Sequence, residues 1–457
     1  MGRTIKEQIP FTENRAKKTR ELAFKEAERR QKLADRGFFN TPVRTCDIEQ
    51  EIQVMDKNSG LPLSAQRFND DSKLGTRLDT TVFNIEYDGN GITSVSPDEI
   101  LALYRSLLTR TKNIQFELKK FNGSAILVPV GLQPIITDKK GKKLLIRDKI
   151  QKRRFNILDE ITGKENPVEY IRVSNPFNGK YITGKASNLF AMARCSGTQI
   201  HISDTTVENA ISTHNILIAL TPMMIALFGN SVFTEAKDMG RVSTRIEFLR
   251  QAEQLRAGLS SPVKSLFEFY ANQLNRALPP FIVLDNPVEA LDLNCGAIHT
   301  TSRIQIDLAN GTIRNEIRQI DSQSPFRTIS ALLFTLGCIE ALRNSRLPSF
   351  NESKSNFVAS VFGLSAKAII FGKQTTLQEI AIDLMEKAAT ALEKIGMTTL
   401  VKIFLLPLRN EIIKRETQGI KIRMKATDLI TKGLSSREAI IRIMNEMNQE
   451  AIAREYL

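Results

Sequence analysis

A chain of 457 residues, 42% hydrophobic and 25% charged, can bury a large core and has neither a disordered nor a fibrous composition. Its net charge of +14 favours an anionic partner: nucleotide, phosphate, acidic surface or nucleic acid. With no Trp and 7% aromatics, the sequence offers no evident base-stacking platform, so nucleic acid is the lesser expectation.

No apolar run reaches the roughly 20 residues that cross a bilayer. The longest, Ile216–Phe228, is interrupted by Thr221 and Pro222 and reads as a buried helix. The start, Met1-Gly2-Arg3-Thr4-Ile5-Lys6, is polar and lacks the apolar core of a secretory signal. Cys46, Cys195, Cys295 and Cys338 stand singly, without a CxxC pair or zinc spacing. A soluble, cytoplasmic protein with reduced, buried thiols is expected.

In chain order, residues 12–36 read as a basic helix, with Thr12 as N-cap and Gly37 past its end. Interleaved Lys, Arg and Glu suggest a solvated arm laced with ion pairs, whose removal should spare catalysis. Strand-like pieces begin at about 46, and Ser96-Pro97-Asp98-Glu99 opens a capped helix. Asp138-Lys139-Lys140-Gly141 reads as a hairpin turn, followed by a basic run, Lys149, Lys152, Arg153 and Arg154. Thr205 with Glu208 opens a helix running towards Pro222, Ser261-Pro262 opens another, and Pro325 a further one. Beyond about 350 the pattern is helical, from Thr376 with Glu379 to Gly396, then from Ser435 with Glu438. Three regions follow: a basic arm over 1–45, a catalytic domain over 46–345, and a helical region packed on it over 346–457. Strands and helices without regular alternation predict an α+β fold with an antiparallel sheet. The phosphate-binding P-loop and the glycine-rich dinucleotide fingerprint are both missing.

Four strand-like segments place ionisable or amide side chains two residues apart: Asp47–Val54, Val82–Tyr87, Gly197–Ile202 and Ile313–Ile320. Residues at i and i+2 of a strand share a face. Glu49 therefore sides with Glu51, Asn84 with Glu86, Gln199 with His201, and Glu316 with Arg318. Laid side by side, these strands would crowd four Glu, one His and one Arg onto one surface. Such a density of carboxylates needs a counter-charge, and oxygen donors suit Mg²⁺ or Mn²⁺ bound with substrate phosphates. Arg241, Arg245 and Arg303 add guanidinium forks that fit phosphate or carboxylate.

These segments, in this order, resemble the glutamate–cysteine ligase-like carboxylate–amine ligases of the glutamine synthetase-like fold. The resemblance rests on Glu49-Gln50-Glu51, Ile85-Glu86, Gly131-Leu132-Gln133-Pro134 and Gln199-Ile200-His201. It continues through Gly229-Asn230-Ser231-Val232-Phe233, Ser243-Thr244-Arg245 and Glu316-Ile317-Arg318-Gln319-Ile320-Asp321. It implies a half-barrel of antiparallel strands where ATP phosphorylates a small-molecule carboxylate and an amine attacks the acyl phosphate. It assigns Glu49, Glu51, Glu86, His201 and Glu316 to metal; Glu49, Glu51, Glu86, Gln199 and Arg241 are expected to bind the nucleotide. Arg318, Arg245 and Arg303 are matched to the phosphoryl group or substrate carboxylate. Two other readings stay open: a catalytically silent binding protein using the basic helix, and a metal–ATP phosphotransferase.

Overall fold

The structure is a computed structural model that describes residues 12–71, 74–78, 83–89, 93–136, 170–174, 176, 181–185, 194–252, 257–258, 260–276, 284–296, 298–343, 358–370 and 373–453. The expected turn at Asp138–Gly141 and the basic run behind it lie outside these residues.

Eight strands build one antiparallel sheet: β1 Thr45–Asp56, β2 Arg77–Leu78, β3 Asn84–Asp88, β4 Thr93–Ser94, β5 Ala125–Val128, β6 Gly197–Ser203, β7 Ser302–Asp307 and β8 Thr312–Asp321. Their order is β7-β8-β6-β1-β3-β2, with β4 and β5 also paired to the long β1. The four segments singled out in the sequence are therefore contiguous in the sheet. The sheet curls into a half-barrel. Its principal helices are α1 Glu13–Asp35, α2 Pro97–Phe121, α3 Val207–Phe228, α4 Thr244–Ala252, α5 Leu266–Arg276, α6 Pro287–Gly296, α7 Pro325–Leu342 and α8 Leu377–Lys394. Gln418–Thr431 and Ser436–Ala453 close the helical C-terminal region.

Period-two patterning makes one face of this sheet apolar. Ile48, Ile52, Ile85, Ile200, Ile202 and Ile317 bury themselves in a core shared with α2, α3, α7 and α8. Each such side chain, fully buried, contributes about 1.5–3 kcal/mol. The opposite parity is left for polar groups.

Caps set the helix starts. Ser96 accepts a hydrogen bond from the Glu99 N–H at 3.4 Å, and Thr376 with Glu379 completes a reciprocal capping box. Two expectations need correction. The cap of α3 is Thr206, which accepts from the Asn209 N–H at 3.2 Å, whereas Thr205 binds the Asn209 side chain. The helix runs through Pro222 to Phe228, in keeping with a buried helix over Ile216–Phe228, and the surrounding core holds it in place. Ser261-Pro262 precedes α5 without starting it, and Ser265 caps Glu268 at 3.0 Å. The C-terminal region also contains a hairpin, Lys367–Ile370 with Lys373–Thr376, too short to give a periodic signal.

By length and hydropathy alone α3 and α7 would reach the measure of a membrane span, but 83% of the most apolar 18-residue stretch of each is buried inside the protein. Both are buried helices, as expected from Ile216–Phe228 and from the helix that Pro325 opens.

The basic helix differs most from expectation. One face of α1 is buried: Ala16, Ala23, Ala27 and Ala34. Ala23, Ala27 and Ala34 share a second core with Leu266, Phe269, Ala290 and Leu291 of α5 and α6. Small side chains let the helices approach closely. A helix that forms the wall of a core is not a dispensable arm.

Burial also fixes the protonation of His214 on α3. Its Nδ1 lies 3.0 Å from the Ser302 hydroxyl, and desolvation pushes the imidazole down to about 3. Below the unfolded value of about 6.5, the unfolded chain takes up a proton that the folded chain refuses. Stability contributed by neutral His214 is thus complete above about 6.5 and declines as pH falls towards 3. The melting temperature of His214→Gln should fall less steeply with acid than that of the wild type. Parallel pH–melting curves would refute this assignment.

Candidate functional site

Register brings the polar parity into one continuous row, because residues opposed across antiparallel strands share a face. Glu51 faces Glu86, and Glu49 lies between Asp88 and Gln199. Asp47 faces His201, His201 faces Glu316, and Glu316 faces Arg303.

At one end, ligand oxygens of Glu49, Glu51 and Glu86 lie within 4.8 Å of one another. Glu51 is fixed by the Gly197 N–H at 2.6 Å and the Gln199 amide at 2.8 Å. Gln199 thus positions a carboxylate. The cluster is hard, oxygen-only and partly open, a donor set that fits Mg²⁺ or Mn²⁺. Arg77 of β2 supplies positive charge here: it binds Glu86, reaches Glu49 at 3.3 Å and forks onto Asp88 at 3.1 and 3.2 Å. Nothing in the sequence marks Arg77, since a two-residue strand carries no periodicity.

The other end is built around Glu316, 0% exposed. Arg303 donates to one of its oxygens through Nε at 2.9 Å and Nη2 at 2.5 Å, and Arg318 Nε lies 3.2 Å from the other. Burial alone would raise the Glu316 carboxyl, but Arg303, Arg318 and His201 hold it down at about 2. Burial lowers His201 to about 4 despite the pull of Glu316. At neutral pH, then, Glu316 is ionised and His201 neutral. The five residues expected to bind metal divide: three carboxylates form one group, while His201 and Glu316 lie outside it in an arginine cage.

Arg245 sits at the start of α4 and donates to the carbonyls of Arg318 and Ile320, at 3.2 and 3.4 Å, where β8 bulges. A Cβ on Gly197 would lie 2.6 Å from its Nη2. Arg241 is buried in the loop before α4. Near Arg245 lies a buried carboxylate to which the sequence assigns no role, Asp321. It accepts from the Asn230 and Ser231 N–H groups at 2.8 and 3.0 Å, and from the Ser231 and Ser243 hydroxyls at 2.7 and 3.0 Å. Gly131 packs so closely that a Cβ would meet Asp321 Cγ at 2.2 Å. The four cysteines are buried, and desolvation pushes Cys46, Cys195 and Cys295 up to about 12, so none of these three offers a thiolate.

Residues 48–346 match the model of the glutamate-cysteine ligase family 2. The chain belongs to this family. A protein of Rubrobacter xylanophilus provisionally named glutamate–cysteine ligase 2-1 is 27% identical over 149 residues, 32% of this chain and 34% of that one. The match thus spans about a third of that relative. The glutamate–cysteine ligase of Francisella tularensis, solved with AMP, superposes with a TM-score of 0.53 at 12% identity, covering 91% of this chain and 90% of that one. A bifunctional glutathione synthetase from Pasteurella multocida gives 0.56 at 12% identity, covering 91% of this chain and 53% of that one. At such identities the likeness is one of fold: a half-barrel sheet with a helical C-terminal region.

Breaking a buried ion pair strands its partner and costs about 3–5 kcal/mol. Glu316→Gln leaves Arg303 and Arg318 without their shared carboxylate, so its melting temperature should fall by several degrees. A surface pair would leave melting unchanged, and that result would contradict the cage.

Proposed function

We propose that this enzyme joins a carboxylate to an amine with ATP, as an ATP-dependent carbon–nitrogen ligase. One observation carries the reading: in a chain of this family, a three-carboxylate cluster and an arginine-gripped Glu316 share one open sheet face. Glu49, Glu51 and Glu86 would hold Mg²⁺ or Mn²⁺, which supplies charge neutralisation for the phosphates of ATP.

The chain's own residues then have separable tasks. Gln199 and the Gly197 N–H keep Glu51 aimed at the face. Arg318 and Arg303, oriented by Glu316, present guanidinium groups to the transferring phosphoryl group or the substrate carboxylate. A substrate carboxylate oxygen takes the γ-phosphoryl group and ADP leaves. The amine nitrogen attacks the acyl carbon of the mixed anhydride, the C–O bond breaks, and phosphate departs as nitrogen loses a proton. Neutral His201 offers a hydrogen-bond acceptor beside that reaction. Arg245, turned to the bulge carbonyls, acts by shaping β8. The four buried free thiols suit a reducing compartment, and we place the enzyme in the cytoplasm.

A screen of small-molecule carboxylates and amines for ADP release tests the reaction. ADP and phosphate should form only when both partners are present; release with one alone, or transfer of phosphate to the amine, would sink the ligase reading. Arg318→Lys should slow turnover by roughly a hundredfold or more, because a point charge cannot replace a fork. Its melting temperature should change little. Near-normal turnover would remove β8 from the reaction.

A further inference from the structure

A cavity of about 600 Å³ lies where the His201–Glu316–Arg303 row meets α1, α5 and α6. His201, Arg303 and Arg314 line it from the strands, and Arg30, Tyr270 and Asp292 from the helices. Pockets of this size enclose ligands of peptide or cofactor dimensions. A single small amino acid would leave much of the space to water.

Two buried atoms of lining residues lack a hydrogen-bond partner among the described residues: Arg30 Nη2 and His201 Nδ1. Arg30 is 1% exposed, and its other nitrogens are engaged. Nε meets Glu26 at 3.0 Å, and Nη1 meets Asp292 at 2.7 Å and the Tyr270 hydroxyl at 3.1 Å. A buried N–H without an acceptor is costly, so a ligand that brings one is favoured there. Arg314, bonded to Gln305 through Nε at 2.7 Å, gives the sheet side of the cavity a second guanidinium. One arginine from each wall suits a carboxylate. Arg30 also stands outside residues 48–346, the part of the chain that matches the family model.

We propose that this cavity seats the carboxylate of a peptide-sized substrate between Arg30 and Arg314, and that α1 sets this preference. The inference rests on the ligase reading: the seated molecule is one of the two compounds joined, with its reacting end towards His201 and Glu316.

The test uses the full chain with three probe sets: free amino acids, a library of di- and tripeptides with free C-terminal carboxylates, and the same library amidated. Saturation-transfer NMR and calorimetry read binding. Carboxylate peptides should bind, and amidated peptides and free amino acids should bind more weakly by roughly tenfold or more. Arg30→Met and Arg314→Met should each remove that preference. Arg30→Met also strands Glu26 and Asp292, so if it melts lower, the Arg314→Met comparison decides. Equal binding of both libraries, binding of neither, or variants that keep the preference would overturn the proposal. Mn²⁺–ATP binding, measured alongside, separates the two readings. Nucleotide bound without peptide discrimination overturns the cavity assignment alone; peptide discrimination without nucleotide binding overturns the ligase reading.

Discussion

Carboxylates set side by side on one sheet face repel one another unless cations lie among them, and this constraint organises the molecule. Glu49, Glu51, Glu86, Asp88 and Glu316 all project from β1, β3 and β8 onto the same surface. Arg77 compensates one end, and Arg303 with Arg318 the other. The ends differ in burial. Glu316 is sealed, so its partners are held firmly and losing the carboxylate itself is structural. Arg77 is half exposed, its pairing is weaker, and a divalent ion can compete with it.

Holding such a face together requires strands distant in sequence to keep one register. Asp321 supplies that joint. Its carboxylate gathers Asn230, Ser231 and Ser243 at the β8 bulge, with Gly131 packed against it, while Arg245 braces the bulge carbonyls from the other side. Four of the short motifs that carry the family resemblance thus converge below the reacting surface. They shape β8 so that Arg318 and Glu316 face the open side. On the ligase reading, function would depend on residues that need touch no substrate.

The row of site residues was legible in the sequence because strand parity is a local property. Glu49 with Glu51, and Glu316 with Arg318, follow from spacing two apart, and the flanking isoleucines identify the buried face. What stayed hidden is tertiary. Arg77 lies on a strand too short to have a period, so only the fold brings it to Glu86. The alanine stripe of α1 is masked by its charges, and a helix read as a solvated arm becomes a wall of the second core. The apolar run Ile216–Phe228 was legible as a buried helix, and packing carries α3 through Pro222. The resemblance grouped His201 and Glu316 with the metal carboxylates, whereas in the fold Arg303 of β7 and Arg318 of β8 gather round Glu316.

The Glu49, Glu51 and Glu86 cluster is proposed as a divalent-cation site whose charge Arg77 offsets when no ion is bound. Electron paramagnetic resonance titration of Mn²⁺ into the wild type and into Arg77→Met tests this without any substrate. The account predicts binding to both, several-fold tighter in Arg77→Met, and its loss in Glu49→Gln with Glu51→Gln. Absence of Mn²⁺ binding in the wild type, or equal or weaker binding in Arg77→Met, would contradict it.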